Sequence, residues 1–318
     1  KKTKAKEVKD LVFFEFNKYC KKIFIENQEL VDVSEPDIAV IVAEGDISVD
    51  GSGMSSTEIC KYFSDVRNNK DIKAVVFRVN SPGGSALASE EIWREVALTN
   101  KTKPVVVSMG DLAASGGYYV STAASRIFAN PSTISGSIGV FGVIPYTGKM
   151  FENKLGIEFD YASTNSHSVF SLNKKLSDEE LQITQEEVDN IYQLFLKRVA
   201  DGRGMTVEEV HKIARGRVWT GEDALEKGLV DELGGLNEAI TYTIKKIGSN
   251  GGDLIYYPKV KENKLESFIE MIDEEESAGL KSNSILNHPY LKEIGVTVQK
   301  IEALKGIQMR LPYDVKIN

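Results

Sequence analysis

Residues 73–85 read Lys73-Ala-Val-Val-Phe-Arg-Val-Asn-Ser-Pro-Gly-Gly-Ser85, and this stretch decides the fold. Its first half, Lys73–Val79, is short, mainly apolar and rich in valine, which predicts a strand that is buried on both faces of a parallel sheet. Its second half, Asn80–Ser85, combines a proline with two glycines, which predicts a tight turn. Helical sequence then resumes at Ala86–Thr99. The stretch therefore predicts a strand, a turn and a helix in direct succession.

The same succession occurs on both sides of this stretch. Upstream, Ile38–Val42 predicts another buried strand; a Gly/Ser-rich loop, Gly45–Ser56, separates it from a predicted helix at Thr57–Asn68. Downstream, Pro104–Met109 predicts a third strand, and a helix is expected to start near Ala114. Strands and helices that alternate with short loops predict an α/β fold with right-handed crossovers and a mostly parallel sheet.

The rest of the chain predicts further helices and one late strand. A Ser/Asn-rich loop covers Ser163–Asn173, and Ser177 followed by Glu180 is a capping box that starts a long helix ending near Gly202. The shorter predicted elements are helices at Val207–Ala214, Glu222–Lys227, Leu236–Ile247 and Lys264–Glu275, and a strand at Asp253–Tyr257.

Composition and charge exclude several classes of function. The 318 residues are 42% hydrophobic and 27% charged, which is ordinary for a globular protein. The net charge of −8 argues against a general nucleic-acid binder, which needs a basic face to neutralise phosphates. Cys20 and Cys60 form no CxxC motif and the histidines (His167, His211 and His288) are scattered, so we expect no metal and no cofactor. No segment reaches about 18 uncharged apolar residues, so we expect any membrane anchor to lie outside this chain.

Two turns built of small residues carry the candidate chemistry. The first follows a strand at its carboxyl end, where parallel sheets bind ligands, and Gly83 and Gly84 could present backbone N–H groups to a developing oxyanion. The second, Asp111-Leu-Ala-Ala-Ser-Gly-Gly-Tyr-Tyr119, places Ser115 at a helix start among small neighbours, where the N–H of Gly116 could also donate. An ordinary strand-to-helix turn and a tightly packed helix start explain the same compositions.

Considered together, the two turns point to acyl transfer. Adjacent strands of one sheet would place Gly83 and Gly84 beside Ser115 and Gly116. A serine nucleophile beside oxyanion-stabilising amides is the geometry that acyl transfer requires.

Two further stretches accompany these turns. Ile134–Val140 contains Ser135, Gly136 and Ser137, which we interpret as a wall of the substrate groove, although a crowded turn would also use small residues. Trp219–Ala224 contains a Thr-Gly-Glu-Asp run that starts a helix, and we interpret it as structural.

These motifs together resemble signature sequences of the signal peptide peptidase A family, in the Clp/crotonase superfamily. They keep the family's order and spacing between about residue 37 and residue 245: Arg78-Val-Asn-Ser-Pro-Gly-Gly-Ser85, Ala113-Ala-Ser-Gly-Gly-Tyr118, Ser135-Gly-Ser-Ile-Gly-Val140 and Trp219-Thr-Gly-Glu-Asp-Ala224. The resemblance implies a crotonase/Clp-like superhelix of ββα repeats and a Ser/Lys peptidase that degrades cleaved signal peptides. It implies that Ser115 is the nucleophile and that Gly83, Gly84 and Gly116 supply the oxyanion-hole amides.

The general-base lysine is where this sequence departs from the family pattern. Single-domain members carry it upstream of the long helix, but the matching stretch here, Asn165–Phe170, contains no lysine. Lys174 and Lys175 fit the position poorly, and His167 competes as an in-chain base but has no carboxylate near it in sequence. The long form of the family has two homologous halves, of which the front half supplies the lysine and the rear half the serine. We therefore interpret this chain as the rear half.

This interpretation predicts the organisation and partners of the chain. Residues 1–35 would be a connector or the end of the front half, residues 36–248 the peptidase domain, and residues 249–318 an extension of unknown role. We expect peptide substrates such as signal-peptide remnants, a homologous N-terminal half, a homo-oligomer, and a location on the periplasmic side of the bacterial cytoplasmic membrane. Two alternatives stay open: an acyl-CoA hydratase or isomerase, which would not need Ser115, and a non-catalytic scaffold or protein-binding half.

Overall fold

The computed structural model describes residues 36–51, 53–166, 168–249, 254–259 and 306–310, and all structural statements concern these residues. The strands are β1 (Ile38–Glu44), β2 (Ile47–Ser48), β3 (Met54–Ser55), β4 (Ala74–Ser81), β5 (Gly83–Ser85), β6 (Val105–Ala114), β7 (Arg126–Ala129), β8 (Ile134–Gly136), β9 (Phe141–Val143), β10 (Val218–Thr220), β11 (Glu232–Leu233), β12 (Leu254–Tyr257) and β13 (Gly306–Arg310). The helices are α1 (Ser56–Asn68), α2 (Ala86–Asn100), α3 (Gly116–Ser121), α4 (Gly148–Leu155), α5 (Asp178–Arg203), α6 (Val207–Ile213), α7 (Gly221–Glu226) and α8 (Leu236–Ile247). The helix predicted at Lys264–Glu275 lies outside the described residues.

The larger sheet has three long parallel strands, β1, β4 and β6, at its centre. Its order is β10-β8-β6-β4-β1-β12, with β7 paired to β6 and β11 paired to β7. Alternate side chains of β4 enter two separate hydrophobic clusters: Val75 and Phe77 belong to the larger one, whereas Val76 packs with Ala239 of α8 in the smaller one. A strand whose two faces are both apolar needs cover on both sides, which is why its sequence does not alternate with polar residues. The predicted α/β fold with a mostly parallel sheet is confirmed.

The helix boundaries follow local signals in the sequence. Ser177 and Glu180 form the predicted capping box of α5, in which each side chain bonds to the other residue's backbone N–H. Helix α5 ends at Gly204, which adopts the left-handed conformation that glycine tolerates best. The helix predicted to start near Ala114 begins two residues later, because Ala113 and Ala114 still pair in register with Ser135 and Gly136 of β8.

Two strands of the segment 249–318 join the sheets of the main domain. Strand β12 pairs in parallel with β1 at the edge of the larger sheet. Strand β13 enters a second sheet, ordered β3-β2-β5-β13-β9, and runs antiparallel to both β5 and β9. The described parts of this segment therefore pair with strands of the main domain, while the boundary after residue 248 stays a prediction. Among the described residues, no helix is long and apolar enough to cross a membrane.

Candidate active site

The site forms where β4 and β6 end side by side. The two strands are parallel, and a break in register between Val79 and Ser81 brings Ser81 opposite Ala113. Just beyond, Gly83 and Gly116 touch: a Cβ added to Gly83 would lie 2.7 Å from the backbone nitrogen of Gly116. Such a contact leaves no room for a side chain, so both motifs need glycine here for steric reasons. The expected approach of the two turns is present, while the oxyanion role of these glycines stays a prediction.

Ser115 lies on a strained turn between β6 and α3. Its φ of 53° and ψ of −116° fall in a region that non-glycine residues seldom occupy, which costs on the order of 1–3 kcal/mol. Two backbone hydrogen bonds hold the turn: Ser115 N donates to Gly136 O over 2.8 Å, and Tyr119 N donates to Ser115 O over 2.8 Å. Strain of this kind occurs at nucleophile turns, because it projects the hydroxyl away from the backbone.

The Ser115 hydroxyl is buried and has no hydrogen-bond partner among the described residues. Ser115 is the N-cap residue of α3, yet its Oγ does not cap the helix. An N-cap serine ordinarily accepts from a backbone N–H of the first turn, as Ser177 does in α5. The Ser115 hydroxyl is therefore available for chemistry.

The stretch Ser135–Ser137 packs directly against this turn. Ser135 Oγ donates to Ala113 O over 2.9 Å, and Gly136 O receives the amide of Ser115. Ser137 N donates to Arg217 O over 2.7 Å, which connects the stretch to the segment before β10. These contacts place the stretch beside Ser115. Their role as a wall of the substrate groove stays a prediction.

Gly84 occupies a different position from Gly83. A Cβ on Gly84 would lie 2.1 Å from the backbone oxygen of Ile47 in β2, and the two residues pair in the second sheet. Gly83 instead approaches Gly116. Of the three glycines assigned to the oxyanion hole, the structure thus brings Gly83 and Gly116 together and places Gly84 against β2.

Asn80 organises the approach to the serine turn, a role that the sequence analysis did not assign. Its Oδ1 accepts a hydrogen bond from Leu112 N over 3.2 Å, and its Nδ2 donates to Glu44 over 3.0 Å. Its backbone oxygen accepts from Gly45 N over 3.0 Å. The side chain thereby connects the ends of β1, β4 and β6. An asparagine directly before the Ser-Pro-Gly-Gly turn was the only available signal.

A partly buried polar network fixes α3 against the neighbouring helices. The Tyr119 hydroxyl and the Arg198 guanidinium both donate to the carboxylate of Glu90 in α2. Burial, and then the hydrogen bond to Glu90, raises the pKa of Tyr119 well above its usual range. Arg198 also stacks over Trp93, 3.6 Å from the ring centroid. Helix α3, which begins directly after Ser115, is thereby held by both α2 and α5.

Among the described residues, neither Lys174 nor Lys175 makes a hydrogen bond to the Ser115 hydroxyl. Lys174 donates to Glu180 over 2.8 Å and forms an ion pair with it. This hydrogen bond, followed by the capping bond from Ser177, lowers the pKa of Glu180 to about 2. Lys175 is exposed. His167 lies outside the described residues. Among the residues that the structure describes, no group of three or more potential metal ligands is present.

The sheet and the serine turn define a Clp-like α/β protein with a candidate serine nucleophile at the carboxyl ends of its strands. Residues 97–248 match the model of peptidase family S49. The chain is similar to Protease 4 of Salmonella typhi, with 44% identity over 225 residues that cover 69% of this chain and 36% of that protein. It is also similar to a putative protease of Synechocystis, with 37% identity over 191 residues, covering 59% of this chain and 68% of that protein.

A third relative is the putative signal peptide peptidase SppA of Enterococcus faecium, at 38% identity over 178 residues, covering 55% of this chain and 51% of that protein. The chain belongs to peptidase family S49. It spans about a third of the length of Protease 4, since the match covers 36% of that protein.

Proposed function

We propose that this chain is the serine-bearing half of a serine endopeptidase that cleaves apolar peptides, such as released signal peptides. Ser115 is the nucleophile, and Gly83 and Gly116 stabilise the oxyanion. The observation that carries the proposal is the buried hydroxyl of Ser115, which has no partner among the described residues and lies on a strained turn directly beside two glycines in contact. Names of the relatives support protease chemistry.

The general base comes from outside this chain in our proposal. A serine hydroxyl is a weak nucleophile until a base removes its proton. The described lysines nearest to the expected position are an ion-paired Lys174 and an exposed Lys175, which supports a lysine donated by a homologous N-terminal half. The share of Protease 4 that this chain matches, 36%, agrees with one part of a two-half protein.

The mechanism follows the chemistry of acyl transfer. The lysine takes the proton of Ser115 while Oγ attacks the peptide carbonyl, and the backbone amides at Gly83 and Gly116 stabilise the negative charge on the carbonyl oxygen. The carbon–nitrogen bond breaks as the amine leaves with a proton from the lysine. Water then hydrolyses the acyl-serine ester and regenerates the hydroxyl. A lysine can act as base near neutral pH only where desolvation lowers its pKa.

A peptidase assay with matched variants tests this function. The chain alone, and the chain with its upstream half, are given a fluorogenic apolar peptide. We expect hydrolysis only in the complete sample, and its loss in Ser115→Ala. Ser121→Ala is the matched control, because Ser121 is a buried serine of α3 whose Oγ donates to Gly117 O over 2.8 Å. That variant should retain most of the activity.

Each of the other results has a distinct consequence. Serine-dependent activity in the chain alone would mean that the base is internal, with His167, Lys174 and Lys175 as candidates. No serine-dependent hydrolysis in either sample would contradict the peptidase proposal and favour a non-catalytic scaffold. Hydration of an enoyl-CoA that survives Ser115→Ala would favour the acyl-CoA hydratase alternative.

We further propose that the protein works as a homo-oligomer at the periplasmic side of the bacterial cytoplasmic membrane, attached through a segment outside this chain. Support for self-association comes from large apolar side chains exposed between β9 and the start of α5: Ile144, Tyr146, Met150, Leu155, Ile157, Phe159, Phe170 and Leu172. Light scattering of the purified chain should show a multimer that Ile157→Glu dissociates. A monomer at all concentrations would contradict self-association, and recovery in the cytoplasmic fraction would contradict the location.

A further inference from the structure

Strand β6 carries a bulge directly before the serine turn. Its ladder with β4 keeps one register up to the pair Val79 and Met109, and the next pair is Ser81 with Ala113. Two steps along β4 therefore correspond to four steps along β6, so β6 contains two extra residues at this place. Here the other edge of β6 also changes its partner from β7 to β8. A bulge offsets every residue that follows it along the neighbouring strand.

This offset determines which part of the glycine turn lies level with Ser115. Continued beyond the last pair of the ladder, the shifted register sets Ser115 level with Gly83. The close approach of the next residue agrees with this, since a Cβ on Gly83 would lie 2.7 Å from Gly116 N. Without the two extra residues, Ser115 would be level with Ser85, about 6–7 Å further along the strand. An oxyanion donor has to lie about 3 Å from the oxygen that it stabilises, so the bulge is what brings the two turns together.

Side chains bond the backbone at the start of this bulge. Arg78 Nη1 donates to Met109 O over 2.8 Å. From the other side, Thr133 Oγ1 donates to Gly110 O over 2.7 Å. A backbone group that leaves the regular ladder inside a protein needs another partner, and these two side chains provide it.

Asn80 is the residue of β4 that faces the extra residues, and it bonds the end of the bulge. It lies between the last regular pair and the first shifted pair of the ladder. Its Oδ1 accepts from Leu112 N over 3.2 Å, while its Nδ2 donates to Glu44 Oε1 over 3.0 Å. The side chain lies against Gly110, where a Cβ would be 2.8 Å from both Cγ and Oδ1 of Asn80. The carboxamide thus supplies an acceptor where the register of the two backbones changes.

We propose that Asn80 is a positioning residue of the reaction: through its bond to Leu112 N it holds the bulge that sets Ser115 level with the oxyanion donors. The inference rests on the proposed function, since it concerns how the same nucleophile is placed. A side chain that aligns a nucleophile acts on the chemical step more than on substrate binding. Loss of this alignment therefore lowers kcat and leaves KM nearly unchanged.

Kinetics of the chain with its upstream half, on the fluorogenic apolar peptide, test this role. Asn80→Leu keeps the approximate volume of the side chain but removes the acceptor for Leu112 N. We expect kcat to fall about tenfold or more, while KM changes by less than about twofold. Asn80→Asp combined with Glu44→Gln keeps an acceptor for Leu112 N and reverses the direction of the other hydrogen bond. This double variant should retain kcat within about threefold of the parent.

Asn100 provides the matched control, because it makes the same kind of bond at the opposite end of β6. Its Oδ1 accepts from Val105 N over 3.0 Å, and its Nδ2 donates to Ala123 O over 2.9 Å. Asn100→Leu should lower the urea midpoint about as much as Asn80→Leu does, but leave kcat within about twofold of the parent. All rates are measured below the unfolding transition of every variant, so that a lower kcat does not reflect a loss of folded protein.

Hydrogen exchange gives a readout that needs no catalysis. Deuterium uptake of residues 110–114 should be higher in Asn80→Leu than in Asn100→Leu, because Leu112 N has lost its partner. Unchanged uptake, a kcat loss no larger than that of the control, or an equal loss in the double variant would overturn the proposal. A parent that hydrolyses no peptide would contradict the proposed function, and the role in the reaction would fall with it. An active parent with any of the three former results would overturn the role of Asn80 alone.

Discussion

Removing the charge of Glu90 tests whether the polar network around α3 stabilises the domain. Glu90 accepts hydrogen bonds from the Tyr119 hydroxyl and from Nη2 and Nε of Arg198, the last over 3.3 Å. Glu90→Gln keeps the shape of the side chain, removes the negative charge of the acceptor and replaces one of its two oxygens by an NH2 group, which cannot accept from Arg198. Since a bond to a charged group contributes about 1 kcal/mol more than a neutral one, the gross loss is about 2–3 kcal/mol.

Partial exposure reduces this figure. The side chains of Arg198 and Glu90 are 22% and 31% exposed, so water screens part of the charge. We therefore expect Glu90→Gln to lower the free energy of unfolding by about 1–2 kcal/mol. Urea denaturation followed by circular dichroism measures this loss. A double-mutant cycle with Arg198→Gln should give a coupling energy of about 1 kcal/mol.

The control for this prediction is an exposed pair on the same helix. Arg94 contacts Glu95 over 3.3 Å and its side chain is 68% exposed, so Arg94→Gln should change stability by less than about 0.5 kcal/mol. A loss in Glu90→Gln no larger than in this control, or a coupling energy of zero with Arg198, would refute the reasoning. Either result would show that apolar packing alone holds α3 in place.

Two further predictions concern the helix α5. Burial opposes ionisation of Asp231 and is the largest single influence. The hydrogen bonds and charge of Arg203, the hydrogen bond from Ile127 N and the charge of Arg126 together outweigh it and lower the pKa below the ordinary 3.8. A carboxyl whose pKa is lowered by folding stabilises the fold at pH values above its ordinary pKa, and this stabilisation is lost as the pH falls through the lowered pKa. Asp231→Asn should therefore cost stability at pH 7 and progressively less below pH 3.8. Equal differences in the urea midpoint at pH 7 and pH 3 would contradict this. Gly202→Ala should cost about 2 kcal/mol or more, because its Cβ would lie 2.1 Å from Thr122 O. Gly156→Ala has a φ of 64° and no atom of the described residues within 4 Å of the Cβ, so it should cost about 1 kcal/mol. Equal losses for the two variants in thermal melts would show that the close contact at Gly202 is unimportant.

The sequence predicted the central sheet because its signals are local. The valine-rich run of β4 is apolar on both faces, which predicts a buried strand. The Pro-Gly-Gly sequence after it predicts a turn that ends this strand. The capping box at Ser177 is another local signal, because it identifies the residue at which α5 begins. Such features depend on neighbours within a few positions, so they can be interpreted without knowledge of the rest of the fold.

The adjacency of the two glycine motifs was also predictable, for a topological reason. Consecutive strands with right-handed crossovers become neighbours in a parallel sheet, so their carboxyl ends, and with them Gly83 and Gly116, must meet at one edge. The different surroundings of Gly83 and Gly84 were not predictable. They depend on Ile47, which reaches β5 from a two-residue strand whose sequence carries no periodic signal.

The C-terminal strand was missed because nothing local distinguishes it. Gly306–Arg310 is short, lies in a polar part of the chain, and has both of its pairing partners more than 150 positions away in sequence. Its stability comes from those partners and from burial of Met309, not from intrinsic strand preference. Prediction from sequence therefore did not extend to β13, which pairs with β5 and β9.

The serine turn itself bears on our proposal that the general base comes from outside this chain. A buried hydroxyl without a hydrogen bond costs about 1–3 kcal/mol, and the strained backbone of Ser115 adds to that cost. Close packing around the turn offsets both: Tyr118 and Tyr119 are fully buried directly behind it, and the Tyr118 hydroxyl is satisfied by Leu229 O over 2.8 Å. The Tyr118 and Tyr119 hydroxyls thus both have partners, whereas the Ser115 hydroxyl has none among the described residues. A nucleophilic serine donates its hydrogen bond to the general base. Since the Ser115 hydroxyl has no acceptor among the described residues, this favours a base from outside them.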